Sequence, residues 1–103
     1  MASGSSVVAV SSKADRRAAR EAVAAYHEAE LAKLVERVGE AIDAFRSGQL
    51  DAFAVDRVLF QYSRAAKELW KFCDLGSIDL TASLINRDEP SVDWWARGAP
   101  RRQ

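Results

Sequence analysis

The sequence is poor in the residue types that build metal centres and disulfides. Among 103 residues it has one cysteine and one histidine. A single cysteine excludes an intramolecular disulfide and favours a reducing, cytoplasmic location. One histidine and one cysteine are too few for a structural zinc site, which usually has four N or S ligands. The sequence also lacks a Glu-x-x-His pair, a glycine-rich phosphate loop and a nucleophile elbow, so we predict no metal and no cofactor.

Charge of one sign is not in excess, and no long hydrophobic run is present. Fifteen basic residues balance fifteen acidic ones, so only a local patch could attract nucleic acid or an anionic membrane. No apolar run approaches the roughly 20 residues that cross a bilayer, and we expect no membrane partner. The start, MASGSSVVAVSS, lacks the basic and apolar regions of a secretory signal. We predict a flexible, serine-rich tail over residues 1–11.

Apolar residues recur at helical spacing over most of the remaining chain, which predicts an all-α protein. We predict a helical domain over 12–98 and a basic tail over 99–103. Within the domain, long helices are expected at 13–46 and 51–74, and short helices at about 80–86 and 92–97. The connection after Gly48 is short, so the two long helices must form an antiparallel hairpin. Pairing outward from this turn sets residue 27 near residue 70.

The second helix carries aromatic side chains outside its apolar stripe. Phe53 and Phe60 lie almost opposite the stripe and Trp70 borders it, while arginines and lysines share the far side. Three interpretations remain open. The aromatics are incidentally exposed, or the C-terminal segment with Trp94 and Trp95 folds back over them, or a second subunit covers them.

A two-helix hairpin buries little by itself, whereas two hairpins form a four-helix bundle with a proper core. We therefore predict a homodimer that acts as a small regulatory or scaffolding module, with an unknown protein as a further partner. The predicted interface residues are the five off-stripe or C-terminal aromatics: Phe53, Phe60, Trp70, Trp94 and Trp95.

Nucleic-acid binding is the first alternative function. Arginines cluster at the start of the first long helix and at the end of the chain, and a dimer doubles both clusters. The candidate residues are Arg16, Arg17, Arg20, Arg101 and Arg102.

The stretch REAVAAYH supports a second alternative. Arg20 and His27 emerge on the same side of the first helix, and Cys73 and Asp74 are expected nearby. The Arg-x6-His spacing resembles the Arg-x4-6-His motif of the prokaryotic and eukaryotic nucleotide-binding ribonucleases. This resemblance implies metal-independent RNA cleavage with Arg20 and His27 as the catalytic residues.

A longer stretch, AIDAFRSGQLDAFAVDRVLFQYSRAAKELWKFC, resembles a group of small actinobacterial helical-hairpin proteins of unassigned function. The resemblance covers about a third of the chain and implies the hairpin fold. It implies no activity.

Overall fold

A computed structural model describes residues 13–87 and 92–100, and these residues form four helices. They are α1 (Lys13–Arg46), α2 (Ala52–Asp74), α3 (Ile78–Asn86) and α4 (Trp94–Arg97). The predicted all-α fold and the long helical hairpin are confirmed. The predicted tail over 1–11 lies outside the described residues, as do residues 101–103 of the predicted basic tail over 99–103.

The hairpin turn follows from glycine and from a capping aspartate. Gly48 has a φ of 85°, a left-handed conformation that costs glycine little and other residues more. The backbone N–H of Gln49 donates to the carbonyl of Ala44 at 2.8 Å, which satisfies one of the last carbonyls of α1. The carboxylate of Asp51 then accepts from the N–H of Ala54 at 2.9 Å and caps α2.

The two short helices also begin at side-chain caps. Ser77 caps α3, which therefore begins at Ile78, two residues before the predicted start. Asp93 accepts from the N–H of Ala96 at 3.1 Å and caps α4, which therefore begins at Trp94, two residues after the predicted start.

The helices α3 and α4 pack on one side of the hairpin, and the core lies between them and the long helices. Tyr26, Phe72 and Trp94 form a chain of aromatic contacts there, with ring centroids 5.8 Å and 5.5 Å apart. The buried core residues are Val23, Leu34, Ala65, Leu69, Cys73, Ala82 and Trp94.

The C-terminal segment folds back on α2, as one of the three interpretations predicted. Gln61 Nε2 donates to the carbonyl of Trp95 at 2.8 Å, and Arg64 Nε donates to the carbonyl of Gly98 at 2.6 Å. A Cβ on Gly98 would lie 2.5 Å from the carbonyl oxygen of Gln61, so only glycine fits this close approach. Within the described residues, side-chain hydrogen bonds from α2 to backbone carbonyls hold this segment.

The segment does not cover the aromatics that suggested it. Phe53 is 76% exposed and Phe60 is 58% exposed, so the prediction that the C-terminal residues shield them is wrong. The register is close to the predicted one, since Tyr26 packs against Phe72. His27 lies beside Asp74, one helical turn beyond Trp70, with Nδ1 and Oδ2 3.9 Å apart.

Candidate interaction surfaces

One face of the hairpin carries apolar side chains, and no helix within residues 13–87 and 92–100 packs on it. We call it the open face. Its residues follow three- and four-residue steps on α1 and a matching line on α2. They are Leu31, Val35, Val38, Ile42 and Phe45 on α1, and Val55, Leu59, Ala66 and Trp70 on α2.

The position of the open face follows from helix geometry. At about 100° per residue, nine residues turn a helix by half a circle, so Tyr26 points away from Val35 and Gln61 points away from Trp70. Tyr26 and Gln61 are the residues that bind the C-terminal segment. The open face is therefore the side of the hairpin opposite α3 and α4.

Helical spacing alone does not separate this face from the buried core. Val35, Phe45 and Leu59 lie at three- and four-residue spacing from buried or half-buried apolar residues of the same helices. Their side chains are 52%, 48% and 44% exposed, and Trp70 is 49% exposed. The apolar side of α1 is therefore wider than the part of it that is buried. The buried residues of α1 are Val23, Leu34 and Ala41.

Charged side chains border the open face at both ends. Glu28 and Arg46 lie seven residues before and eleven residues after Val35, so all three share one side of α1. Asp56 and Lys67 lie on the outer border of α2, each three residues before an open-face residue. All four are exposed, and none forms an ion pair within the described chain.

A second surface lies on the outer side of α2. We call it the outer stripe, and it consists of Phe53, Arg57, Phe60, Arg64 and Lys71. The intervals of four, three, four and seven residues keep these side chains on one side of the helix. Next to the stripe is a groove of about 400 Å³ between α2 and Pro100, lined in part by Arg57, Phe60 and Gln61.

Trp94 belongs to the core of the chain itself. It is 4% exposed, and its indole Nε1 donates to the hydroxyl of Tyr26 at 2.9 Å. Burial raises the pKa of Tyr26, although the hydrogen bond from Trp94 acts in the opposite direction. Trp95 is half-buried, with the guanidinium of Arg37 5.3 Å from its ring centroid. Of the five predicted interface residues, only Trp70 lies on the open face.

The residues proposed for ribonuclease chemistry are brought together in part. His27 contacts Asp74 at the end of the open face, and Arg20 is exposed two turns before His27. Cys73 is buried, and this burial, with a smaller contribution from the charge of Asp74, raises the pKa of its thiol to about 11. The thiol is therefore protonated and inaccessible at neutral pH, and it is not a nucleophile here.

Only the first of the two predicted arginine clusters lies within the described residues. Arg16, Arg17 and Arg20 are exposed on the first two turns of α1, whereas Arg101 and Arg102 lie outside the described residues. A further groove of about 440 Å³ between α1 and α4 carries charges of both signs. They include Glu30 and Lys33, which form an ion pair at 2.9 Å.

Over residues 13–87 and 92–100, no three His, Cys, Asp or Glu side chains are grouped so that they could hold a metal ion. None of the helices in the described chain combines the length and the apolar character needed to cross a bilayer. Comparison of the chain with protein-family models, with curated proteins and with solved structures finds no match.

Proposed function

We propose that this protein is a non-enzymatic association module that binds a second copy of itself through the open face. The observation that carries the proposal is a set of four exposed apolar side chains on that face, Val35, Phe45, Leu59 and Trp70. From Leu31 to Phe45 the face runs about 21 Å, and two packed helices make it about 20 Å wide. This outline is about 400 Å², and an apolar patch of this order on a soluble protein is often functional.

The border charges support a second copy as the occupant. Residues of α1 and α2 whose numbers sum to about 100 lie side by side, level with each other along the long axis of the hairpin. His27 and Asp74 are such a pair. In one arrangement the two-fold axis lies in the plane of the interface, crosses the helices at a right angle and passes near Val38. Each α1 then packs antiparallel on α1 of the second copy. Glu28 then faces Arg46 of the second copy, and Asp56 faces Lys67 of the second copy.

The other face-to-face arrangement is less favourable. In this arrangement the two-fold axis is parallel to the helices, and α1 packs on α2 of the second copy. Each residue keeps its position along the hairpin axis. This arrangement brings Arg46 level with Asp56 of the second copy, which is favourable, but it also brings Glu28 level with Asp74 of the second copy, and like charges at an interface repel. The antiparallel arrangement therefore satisfies the border charges better, and it gives a closed, symmetric four-helix bundle.

A charge on the open face tests the proposal. We expect the wild-type protein to have twice the monomer mass of 11.4 kDa by light scattering, and Val35→Glu to have the monomer mass. The reason is that the dimer buries the new carboxylate without a partner, whereas the monomer leaves it in water. Circular dichroism checks that the variant keeps its helices, as expected for a half-exposed position.

Phe53→Glu is the matched control. Phe53 is more exposed than Val35 but lies on the outer stripe, so this variant should keep the dimer mass. A wild-type protein that stays monomeric up to high micromolar concentration would contradict the proposal. So would equal effects of the two glutamates.

A further inference from the structure

The groove beside the outer stripe combines aromatic, cationic and hydrogen-bonding groups that the proposed association does not use. Phe60 is 58% exposed, and Arg57 and Arg64 lie within one turn of it on either side. Pro100 forms the opposite wall. The groove lies on a different side of α2 from the open face, so its function does not depend on dimer formation.

The polar groups of the groove are partly fixed and partly free. Arg64 donates from Nε to the carbonyl of Gly98, which holds the guanidinium in place and leaves its terminal amino groups for another acceptor. Gln61 donates from Nε2 to the carbonyl of Trp95, which orients its amide and leaves Oε1 as an acceptor. Arg57 has no ion pair and no side-chain hydrogen bond within the described chain.

We propose that this groove binds single-stranded nucleic acid. The guanidinium groups of Arg57 and Arg64 bind backbone phosphates, and the ring of Phe60 stacks on an unpaired base. Phe53 lies seven residues earlier on the same side of α2, about 10 Å along the helix, and supplies a second ring for stacking. Both rings are exposed in the free protein, so binding requires no rearrangement of the core.

The geometry favours a single strand over a duplex or a membrane. In a duplex the bases are stacked on each other, so neither phenylalanine ring would gain a partner. A membrane-surface helix needs a broad apolar face, whereas Arg57 separates the two rings here. The groove is also walled by Pro100, and a flat bilayer surface cannot enter a concave site.

The test is binding of a fluorescent oligothymidylate of about 12 nucleotides, measured by anisotropy at two or more salt concentrations. We expect Phe60→Ala to bind about tenfold more weakly, because stacking on one base is lost. Arg57→Gln should bind several-fold more weakly and should lower the slope of log K against log salt by about 0.7, because one phosphate contact is lost. A duplex of the same length should bind more weakly than the single strand.

Two controls separate this site from other basic regions. Lys33→Gln removes one positive charge from α1, at a residue that does not line this groove, and should leave binding within twofold of wild type. Arg17→Gln tests the cluster at the start of α1 and should have a similarly small effect. The proposal is overturned if Phe60→Ala binds like wild type, if the Arg17 variant loses more affinity than the Arg57 variant, or if the duplex binds as well as the single strand. Sedimentation with vesicles rich in anionic lipid, but no binding of the oligonucleotide, would also overturn it.

Discussion

The hydrogen bond between Trp94 and Tyr26 joins two residues that are 68 positions apart in the sequence. It lets a buried indole keep a partner for its only polar group. The ring of Phe72 packs against both aromatic rings. This small aromatic cluster therefore connects the C-terminal segment to both long helices at once.

Replacement of Tyr26 by phenylalanine should destabilise the protein more than the loss of a single hydroxyl group suggests. The ring stays, but the buried N–H of Trp94 loses its acceptor, and an unsatisfied buried donor costs about 1–3 kcal/mol. We expect a decrease of this size in the free energy of unfolding, measured by urea denaturation.

Tyr62→Phe is the control for this experiment. Tyr62 is also half-buried, but its hydroxyl has no hydrogen bond within the described chain, so the change should cost less than about 0.5 kcal/mol. Equal losses in the two variants would mean that the Trp94 bond contributes little.

At the scale of elements, α4 is a single helical turn that owes its position to contacts with α2. A four-residue helix is not stable in isolation. The segment is held by two side-chain hydrogen bonds from α2 and by the close approach of Gly98 to the backbone of that helix. A side chain at position 98 that prevents this close approach should therefore loosen the whole C-terminal segment.

Gly98→Ala tests the close approach. Its Cβ would lie 2.6 Å from the backbone nitrogen of Ala65, and the backbone of a helix cannot move aside easily. We expect a loss of about 1–3 kcal/mol, typical of overpacking, in thermal or urea unfolding. The fluorescence of Trp94 should shift to longer wavelength as its ring becomes wet.

Gly39→Ala is a control variant that should have the opposite effect on stability. It lies inside α1, and a Cβ there meets nothing within 4 Å. Alanine is favoured over glycine inside a helix by about 1 kcal/mol, so this variant should be more stable than wild type. If both alanine variants change stability in the same direction, the close approach of Gly98 is not a constraint.

Sequence periodicity was sufficient to predict the elements but not the side on which they pack. Three- and four-residue spacing, Gly48 and Asp51 gave the long helices and the turn because these signals are local. The α1 stripe, however, contains two adjacent lines, one through Leu34 and one through Val35. Which line is buried depends on where α3 and α4 pack, and that is a tertiary property that periodicity does not carry.

At the scale of the whole molecule, the hairpin has one covered face and one open face. The radius of gyration is 18.8 Å, whereas a compact chain of this length has about 13 Å. A long, thin molecule has much surface for its volume and gains from pairing with a second copy. The homodimer was predicted from the sequence for this reason, and the cytoplasmic location likewise stays a prediction.

Exchange of the border charges tests the antiparallel arrangement of the proposed dimer. Glu28→Lys and Arg46→Glu should each weaken the dimer several-fold, because each places like charges opposite one another twice in the symmetric interface. The double variant should recover most of the wild-type dissociation constant, measured by sedimentation equilibrium at low salt.

The recovery is the informative part of the result. If the double variant is as weak as the single variants, Glu28 and Arg46 do not face each other, and the arrangement is wrong even if the protein is dimeric. The same experiments in high salt should reduce the differences among all four proteins, since exposed charges are screened there.

The docked C-terminal segment also bears on how many copies the proposed dimer can recruit. With Trp94 and Gly98 in place, the proposal leaves the open face for one second copy, and two such copies form a closed pair. Loss of the segment would expose Tyr26, Phe72 and Ala65 on the other side of the hairpin. A hairpin with apolar surface on both sides could bind further copies, so in the proposed dimer the last helical turn favours a finite assembly over an open-ended one.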